Sequence, residues 1–347
     1  MENQIENKNQ CCPSQLRYDE ASKDWVVVAP GRGKRPEQYK RQRAHVEMDL
    51  ANCPFCNLSA EAKPVLAVSE SDLAADGSLP ADWSLAVIPN KFPAFCAPVK
   101  KEIHACKIGP IYHSMDAAGF CEIVITRNHE LHLGVMDLPA VEEVLAAYQA
   151  RYLALKGNKF IKYISIFHNH GVEAGASQPH PHSQIITSPL IDVDLLNALE
   201  NSKKYFKKNK KCLYCEMIDW EIKDGARLVA QNADFLALCP FASKTAFQTV
   251  IAPKDHLSNF ENITAAQRKN LTQIFSETLK KICNGLGDPA YNFYLHTAPA
   301  DGKDYSHYHW HFTIMPKTAT MAGFELGTKI EISTIEPERV AEYLRAQ

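Results

Sequence analysis

The sequence has no long apolar segment. No stretch of about eighteen consecutive apolar residues occurs among its 347 residues, so no transmembrane helix is predicted. Residues 1–10 are polar and lack the apolar core of a secretory signal, so no signal peptide is predicted either. The expected compartment is the cytoplasm, and residues 1–20 are expected to form a mobile tail.

The chain also lacks a surplus of charge of one sign. Its 38 Lys and Arg residues against 40 Asp and Glu residues give a formal net charge of −2. Nucleic-acid-binding and anionic-membrane-binding proteins normally present a concentrated basic surface, so neither kind of partner is expected. The one dense basic run, six lysines within residues 203–211, is followed by no aromatic platform and is interpreted as a solvated helix face or connector.

Cysteine, in contrast, is well represented. Four of the eleven cysteines form two Cys-x-x-Cys pairs, Cys53 with Cys56 and Cys212 with Cys215. This spacing fits metal ligation in a reducing compartment better than a disulfide framework. A redox pair would need a preceding strand, which the apolar-poor residues 41–52 do not supply, so a zinc knuckle is the favoured interpretation of the first pair. Buried thiols without a metal are the alternative.

An internal repeat follows the two cysteine pairs. In each half the chain shows a strand ending near a histidine, then a helix, a strand, and a segment with alternate histidines. The first copy comprises residues 121–126, His129, 139–155, 163–167 and 180–184, and the second comprises 248–252, His256, 265–283, 291–296 and 307–316. Gly285 is expected to lie just beyond the second helix. The repeat predicts an α+β fold of two pseudo-symmetric units, over residues 21–195 and 196–347, each a mostly antiparallel sheet with helices packed on it.

The repeat also supplies two sets of four metal donors. Zinc prefers four tetrahedral ligands, commonly thiolate and imidazole. The first set is Cys53, Cys56, His129 and His180, and the second is Cys212, Cys215, His256 and either His307 or His309. Neither set has an obvious open coordination position, so both are expected to be structural, with two zinc ions per chain. Internal register with His180 favours His307 as the last ligand.

The motif His180-Pro-His182-Ser-Gln184 suggests chemistry. On a strand these three side chains would share one face. If His180 binds metal, His182 remains as a neutral imidazole, a competent nucleophile with an unperturbed pKa of about 6.5. A backbone carbonyl would hold its other nitrogen, while Gln184, Ser177 and glycine-loop amides could stabilise charge on a phosphate. The pattern therefore predicts nucleotidyl transfer through a covalent histidine.

The motifs together resemble a known family. They are Arg32-Gly-Lys-Arg35-Pro36, Cys53-Pro-Phe-Cys56, Asn90-Lys-Phe92 and the stretch 167–184, which contains Phe-x-Asn-x-Gly and Gly-x-Ser-x-Pro-His-Pro-His-x-Gln. The chain resembles the galactose-1-phosphate uridylyltransferase branch of the histidine triad superfamily. The resemblance implies that His182 is the uridylylated nucleophile and Gln184 its phosphate partner. It further implies roles in substrate binding for Arg32, Arg35, Asn90, Asn169 and Ser177, and for the hexose-binding segment Gly323-Phe324-Glu325.

The resemblance has two further implications. In this family the Gly-aromatic-Glu segment reaches the site of the neighbouring subunit, so a homodimer is implied. The second cysteine pair and residues 323–328 resemble the plant-type ADP-glucose phosphorylases, which carry a second zinc; this likeness favours His309 over His307 as the ligand. No Glu stands at the matching place just after Pro189, where the classical bacterial uridylyltransferases have a ligand of an iron-type site. Ser183 also favours the plant-type branch, whereas Pro181 favours the uridylyltransferases.

Three functions follow from these patterns. The leading hypothesis is a UDP-glucose–hexose-1-phosphate uridylyltransferase of galactose metabolism, with a nucleotide sugar and a sugar 1-phosphate as substrates. The alternative within the same chemistry is an ADP-glucose phosphorylase, in which inorganic phosphate is the acceptor. A zinc-stapled nucleotide-binding module without turnover is the third.

Overall fold

Strands that alternate along the chain with helices build the fold, which a computed structural model describes for residues 14–29, 36–40, 50–58, 63–69, 73–98 and 102–347. The strands are β1 (Gln15–Tyr18), β2 (Trp25–Val28), β3 (Leu66–Val68), β4 (Leu73–Ala74), β5 (Leu85–Pro89), β6 (Ala105–Ile108), β7 (Tyr112–Met115), β8 (Cys121–Thr126), β9 (Tyr163–His170), β10 (His182–Ser188), β11 (Leu228–Gln231), β12 (Phe235–Leu238), β13 (Thr249–Pro253), β14 (Tyr291–His296), β15 (His311–Pro316) and β16 (Ile332–Ser333). The helices are α1 (Leu138–Leu155), α2 (Val193–Asn209), α3 (Leu213–Asp224), α4 (Ala265–Leu286), α5 (Gly323–Thr328) and α6 (Pro337–Arg345). No helix of this described part is both long and apolar enough to span a membrane.

One large sheet joins the two halves of the chain. Its eleven strands lie in the order β11-β12-β13-β15-β14-β9-β10-β8-β5-β3-β4, and every neighbouring pair is antiparallel. The halves meet where β14 pairs with β9 and Tyr294 lies opposite Phe167. The predicted α+β class with mostly antiparallel sheets is confirmed, and the two copies share a continuous sheet.

The two copies also match residue by residue. In the first, Ser183 of β10 lies opposite Val124 of β8 and His168 of β9. In the second, Phe312 of β15 lies opposite Ile251 of β13 and Leu295 of β14. Strands β10 and β15 begin at His182 and His311, and the histidine two residues before each start, His180 or His309, lies against a Cys-x-x-Cys pair. His182 therefore corresponds to His311, His180 to His309 and Ser183 to Phe312. The internal register that favoured His307 was wrong by two residues, because β15 begins at His311 and not at His307.

Helices α1 and α4 occupy equivalent places and cover one face of the sheet. Helix α1 begins after Asp137, whose side chain accepts from the Ala140 N–H, and α4 begins with a capping box of Thr264 and Gln267. Because successive strand residues point to opposite faces, His182 and Gln184 lie on the face away from these helices. The predicted stop at Gly285 was wrong: α4 continues to Leu286 and ends at Gly287, whose φ is 75°.

The N-terminal strand is tied to the C-terminal helix by a buried charge network. Strand β1 lies within the stretch expected to be a tail, yet its Arg17 is only 8% exposed. The Glu338 carboxylate of α6 accepts from Arg17 Nη1 at 2.9 Å and from Arg227 Nη1 at 2.8 Å. Arg227 also donates from Nε to Glu221 at 3.0 Å. One carboxylate thus serves two buried guanidinium groups.

We expect Glu338→Gln to lower the free energy of unfolding at pH 7 by about 3 kcal/mol, because it leaves the buried Arg17 and Arg227 short of negative charge. Burial raises the pKa of Glu338, but its backbone N–H and the two guanidinium groups outweigh burial and lower the pKa below 4.5. The contribution is therefore present above that pH and is lost as pH falls through the lowered pKa. Urea unfolding at pH 7 and pH 3 measures both effects.

The control is Glu200→Gln, which removes an exposed ion pair with Lys204 whose atoms are 3.5 Å apart. This change is expected to cost less than about 0.5 kcal/mol at either pH. An equal loss for Glu338→Gln and Glu200→Gln would contradict the prediction.

Candidate functional site

The first cysteine pair and two histidines come together at the open end of β10. Cys53 Sγ and Cys56 Sγ each lie 3.5 Å from His180 Nδ1, and Cys56 Sγ lies 3.0 Å from His129 Nδ1. The four donor atoms lie within 4.8 Å of one another. His180 Nε2 donates to the Thr126 carbonyl at 2.8 Å, so the Nδ1 lone pair faces the thiols.

The donor chemistry of this group fits a divalent cation. Burial, followed by the neighbouring Cys53, raises the pKa of Cys56 to about 11, so the two thiols cannot both ionise at neutral pH without a cation between them. Two thiolates and two imidazoles are the donors that zinc prefers. The structure thus brings together the four residues predicted as the first set.

The second group repeats this arrangement. Cys215 Sγ lies 3.3 Å from His256 Nδ1 and 3.5 Å from His309 Nδ1, and Cys212 completes the four. His309 Nε2 donates to the Pro253 carbonyl at 2.9 Å, and His256 Nε2 donates to the Ser306 carbonyl at 2.7 Å. His307, the other candidate, is not part of the group.

His182 begins strand β10 and is nearly buried, with 8% of its surface exposed. Its Nδ1 lies 2.9 Å from the carbonyl of His180, so the Nδ1–H donates there and the Nε2 lone pair is available. Burial lowers the pKa of His182 below 6.5, against an opposing hydrogen bond to that carbonyl, so the ring is neutral at pH 7. The Phe55 ring packs 5.0 Å from the imidazole.

The expected row of three side chains on one strand is only partly present. His180 precedes β10, so it is not bound by strand alternation and turns towards Cys53 and Cys56. Only His182 and Gln184 share the strand face. Because the strand starts between the two residues, His180 points towards the thiols of the first group and His182 keeps a free imidazole on the sheet face.

Asn169 lies on the same sheet face as His182, on the neighbouring strand β9. Its Oδ1 accepts from Asn292 Nδ2 at 2.8 Å, which leaves the Asn169 amide nitrogen as a donor. Asn292 also donates to the Ala174 carbonyl at 2.8 Å and so holds the loop after β9. Sequence reasoning missed Asn292, because it stands on β14 in the other half of the chain.

The loop between β9 and β10 has the backbone expected of a phosphate-approaching segment. Gly171 and Gly175 have φ angles of 90° and 85°, a region that side chains disfavour, and a short 3-10 helix, Val172–Ala174, lies between them. Ser177 follows and is exposed. The loop leads directly into His180, so its amides lie close to the start of β10.

The back of β10 is anchored to helix α1. The Tyr148 hydroxyl donates to Ser183 Oγ, and His168 Nδ1 lies 2.9 Å from the same oxygen. All three groups are buried, and burial, followed by the neighbouring histidines, lowers the pKa of His168 well below 6.5. Ser183, the residue next to His182, is therefore held in place from the side of helix α1. No sequence motif predicted this contact.

A third group, His132, His170 and Asp288, was also missed. Asp288 Oδ1 lies 3.3 Å from His132 Nε2 and 2.9 Å from His170 Nε2. The Gly134 N–H donates to His132 Nδ1 at 3.2 Å, so Nδ1 is the acceptor and Nε2 is the nitrogen that faces Asp288. In the Cys₂His₂ groups, by contrast, His180, His256 and His309 each donate their second imidazole nitrogen to a carbonyl. This group is therefore a hydrogen-bonded cluster, on the sheet face opposite His182.

The remaining predicted site residues are Arg32, Arg35, Asn90 and the segment Gly323-Phe324-Glu325. Arg32 and Arg35 lie outside the described residues. Asn90 follows β5 on the His182 face, but Ala86 is the β5 residue level with His182, so Asn90 lies roughly 13 Å farther along the strand direction.

Gly323, Phe324 and Glu325 open the surface helix α5, where Phe324 is 50% exposed. Within the described part of the chain, no hydrogen bond or ring contact joins them to the His182 surroundings. Their role in a neighbouring subunit's site stays a prediction.

Comparison with known proteins agrees with this geometry. The profile of the galactose-1-phosphate uridyl transferase N-terminal domain matches residues 3–191, and that of the C-terminal domain matches residues 198–345. The chain belongs to this family. It is thereby an enzyme of the nucleotidyltransferase class, and the resemblance drawn from its motifs is confirmed.

Relatives of the family cover nearly the whole chain. An ADP-glucose phosphorylase of Arabidopsis thaliana is 30% identical over 337 residues, 95% of this chain and 92% of the relative. A galactose-1-phosphate uridylyltransferase of Thermotoga maritima is 28% identical over 344 residues, 95% of this chain and 98% of the relative. The crystal structure of an Arabidopsis thaliana ADP-glucose phosphorylase with bound ADP-glucose superposes with a TM-score of 0.79 at 29% identity, covering 96% of this chain and 99% of that chain.

Proposed function

We propose that this enzyme transfers a nucleotidyl group from a nucleoside diphosphate sugar to a second phosphate through a covalent bond to His182. The observation that supports this most directly is the 2.9 Å contact between His182 Nδ1 and the His180 carbonyl. It places the proton on Nδ1 and leaves a neutral Nε2 to attack. The lowered pKa of His182 keeps that form dominant at neutral pH.

The proposed reaction has two displacements at phosphorus. His182 Nε2 attacks the α-phosphorus, a P–N bond forms, and the P–O bond to the β-phosphate breaks, so that the sugar 1-phosphate leaves with the electron pair. An oxygen of the accepting phosphate then attacks the same phosphorus and the P–N bond breaks. The imidazole gains positive charge while it carries the nucleotide, and the His180 carbonyl stabilises that charge through Nδ1–H. Gln184 and Asn169, which share the sheet face of His182, would donate to non-bridging oxygens.

We further propose that each Cys₂His₂ group holds a structural zinc ion. In the first group Cys53, Cys56, His129 and His180 would hold it. When bound, zinc supplies rigidity and not a reacting group, because all four donors come from the protein. What these residues do for the reaction is to fix His180, whose carbonyl orients His182.

For the donor, we propose ADP-glucose with inorganic phosphate as acceptor. This is supported by the 30% identity to the Arabidopsis thaliana ADP-glucose phosphorylase and by the TM-score of 0.79 to the ADP-glucose-bound structure. The second Cys₂His₂ group supports the same branch. The second candidate is UDP-glucose with a hexose 1-phosphate acceptor, supported by the 28% identity to the Thermotoga maritima uridylyltransferase.

The test uses the two donors labelled at the α-phosphorus. The protein is incubated with each in the absence of acceptor, and acid-labile, base-stable label on His182 is measured after peptide mapping. We expect label from ADP-glucose that is released as ADP on addition of phosphate. Faster labelling from UDP-glucose, released by galactose 1-phosphate as UDP-galactose, would assign the second function. No label from either donor would refute the covalent mechanism.

A further inference from the structure

The C-terminal copy retains the backbone framework of the His182 site. His311 begins β15 as His182 begins β10, and its Nδ1 lies 3.3 Å from the His309 carbonyl, against 2.9 Å from His182 Nδ1 to the His180 carbonyl. By the matched strand registers, Thr313 stands where Gln184 stands, and His296 where Asn169 stands. The second copy thus keeps an imidazole in the nucleophile position.

The aromatic partner of the histidine is retained as well. Phe55 lies between Cys53 and Cys56, and its ring is 5.0 Å from that of His182. Tyr214 lies between Cys212 and Cys215, and its ring is 5.6 Å from that of His311. The same knuckle therefore covers the same position of the sheet in both copies.

A cavity of about 270 Å³ lies at this second position. Its polar lining includes Tyr214, Gln248, Tyr294, His296, His311 and Thr313, and we call it the His311 cavity. Small-molecule pockets occupy roughly 300–1,000 Å³, so this volume suits a ligand of about nucleoside size and is small for a nucleotide sugar.

The polar groups of the His311 cavity can bond a ligand. Gln248 Oε1 accepts from the Lys244 N–H at 2.6 Å, which leaves its amide nitrogen as a donor. Among the described residues no protein group bonds the ring nitrogens of His296. Burial lowers the pKa of His296 to about 4, so this imidazole is neutral and offers one donor and one acceptor.

The charge of the His311 cavity disfavours a phosphate. Four carboxylates line it, those of Asp19, Asp24, Asp194 and Glu221, and the only ammonium group among the described residues of the lining is that of Lys244. Glu221 is already paired with Arg227, so the acidic character of the cavity comes mainly from Asp19 and Asp194. Lys244 Nζ is already paired, at 2.9 Å from Asp24 and 3.6 Å from Glu331. No cation of the described lining therefore remains to bind an anion.

From this framework, volume and charge, we propose that the His311 cavity is a second ligand site that binds an unphosphorylated nucleoside. The choice of a nucleoside rests on the proposed function, since it assumes that the matching surface at His182 binds a nucleotide. The base would contact the aromatic and apolar walls and bond to Gln248, His296 or Thr313. The acidic lining would select against the corresponding nucleotide.

The experiment titrates adenosine and uridine, and then AMP and UMP, into the zinc-loaded full-length protein by calorimetry. Ala198→Trp places a ring in the cavity, because Ala198 of α2 lines it. Asn197→Trp is the matched control, because Asn197 is the exposed neighbour of Ala198 on α2 and does not line the cavity. We expect one nucleoside to bind with similar affinity to the wild type and to Asn197→Trp, and about tenfold or more weakly to Ala198→Trp.

Thr313→Val, a change of nearly equal volume, provides a second variant should Ala198→Trp fail to fold, and it is expected to weaken nucleoside binding by about threefold or more. At the cavity, AMP or UMP should bind at least about tenfold more weakly than its nucleoside. The proposal is overturned if neither nucleoside binds to the wild type. It is also overturned if Ala198→Trp, or Thr313→Val where Ala198→Trp does not fold, binds the nucleoside with the affinity of the wild type. Nucleoside binding that is sensitive to these changes, in a protein that forms no label on His182, would refute the proposed function alone.

Discussion

Replacement of His182 with glycine is expected to abolish nucleotidyl transfer, with a loss of roughly 10⁴-fold or more in turnover and no label on the protein. The structure gives the reason. His182 Nε2 is the free nitrogen of an imidazole whose other nitrogen is held by the His180 carbonyl. Within the described site no other imidazole shares its face and its place beside Asn169. Steady-state turnover and α-phosphorus labelling measure the effect.

The control is His113→Gly, which removes an exposed imidazole on the β6–β7 hairpin. It should retain turnover within about threefold, and both variants should keep the melting temperature and zinc content of the wild type. Residual labelling of His182→Gly above a tenth of the wild-type rate would contradict the assignment of the nucleophile. A folded His182→Gly protein that still binds the nucleotide sugar would show that only the covalent step was lost.

Loss of a donor from the first Cys₂His₂ group is expected to have the second largest effect on the labelling of His182. His129→Ala should reduce bound zinc from about two ions per chain to about one and lower the labelling rate at His182 by about 100-fold. The cause is indirect. The group holds His180, and the His180 carbonyl holds His182 Nδ1, so disorder of the group releases the imidazole from its attacking orientation.

His256→Ala tests whether the effect depends on which group is lost. It removes a donor from the second group and should also cost one zinc and lower the melting temperature. Its labelling rate should fall by about tenfold at most, because this group supports His309 and not His180. Mass spectrometry of the metal content and thermal melts accompany the labelling. Equal losses in the two variants would show that zinc acts only through global stability.

Much of the candidate site was predictable because its chemistry is encoded over short spacings. The Cys-x-x-Cys pairs and the His-x-His spacing identify donors and nucleophile within a few residues of one another. The division between His180 and His182 follows from zinc needing a fourth ligand. The α+β class followed equally from the repeated order of strand, helix and strand.

The resemblance favoured His309 over His307, and the strand register gives the physical reason. Both histidines alternate with His311 in the sequence, and a strand extended back to His307 would match His180 to the wrong residue. The structure begins β15 at His311, so His309 lies before the strand and turns towards Cys215, as His180 turns towards Cys56. Where a strand starts depends on its partners β13 and β14, which are far away in the chain.

The sequence by itself thus determined the family, and it predicted the nucleophile and the eight residues of the two Cys₂His₂ groups that the structure brings together. Within each group only the Cys-x-x-Cys spacing is local, so the motifs of the family, and not chain proximity, carried the rest of that prediction. Only the tertiary structure decided which groups support these residues. Asn292 reaches Asn169 across 123 residues of chain, and Tyr148 reaches Ser183 from a helix on the other face of the sheet. The His311 cavity likewise combines the N-terminal segment, α2, α3 and the second half of the sheet. Such contacts depend on how amphipathic elements pack, and packing is a property of the whole chain that no local pattern records.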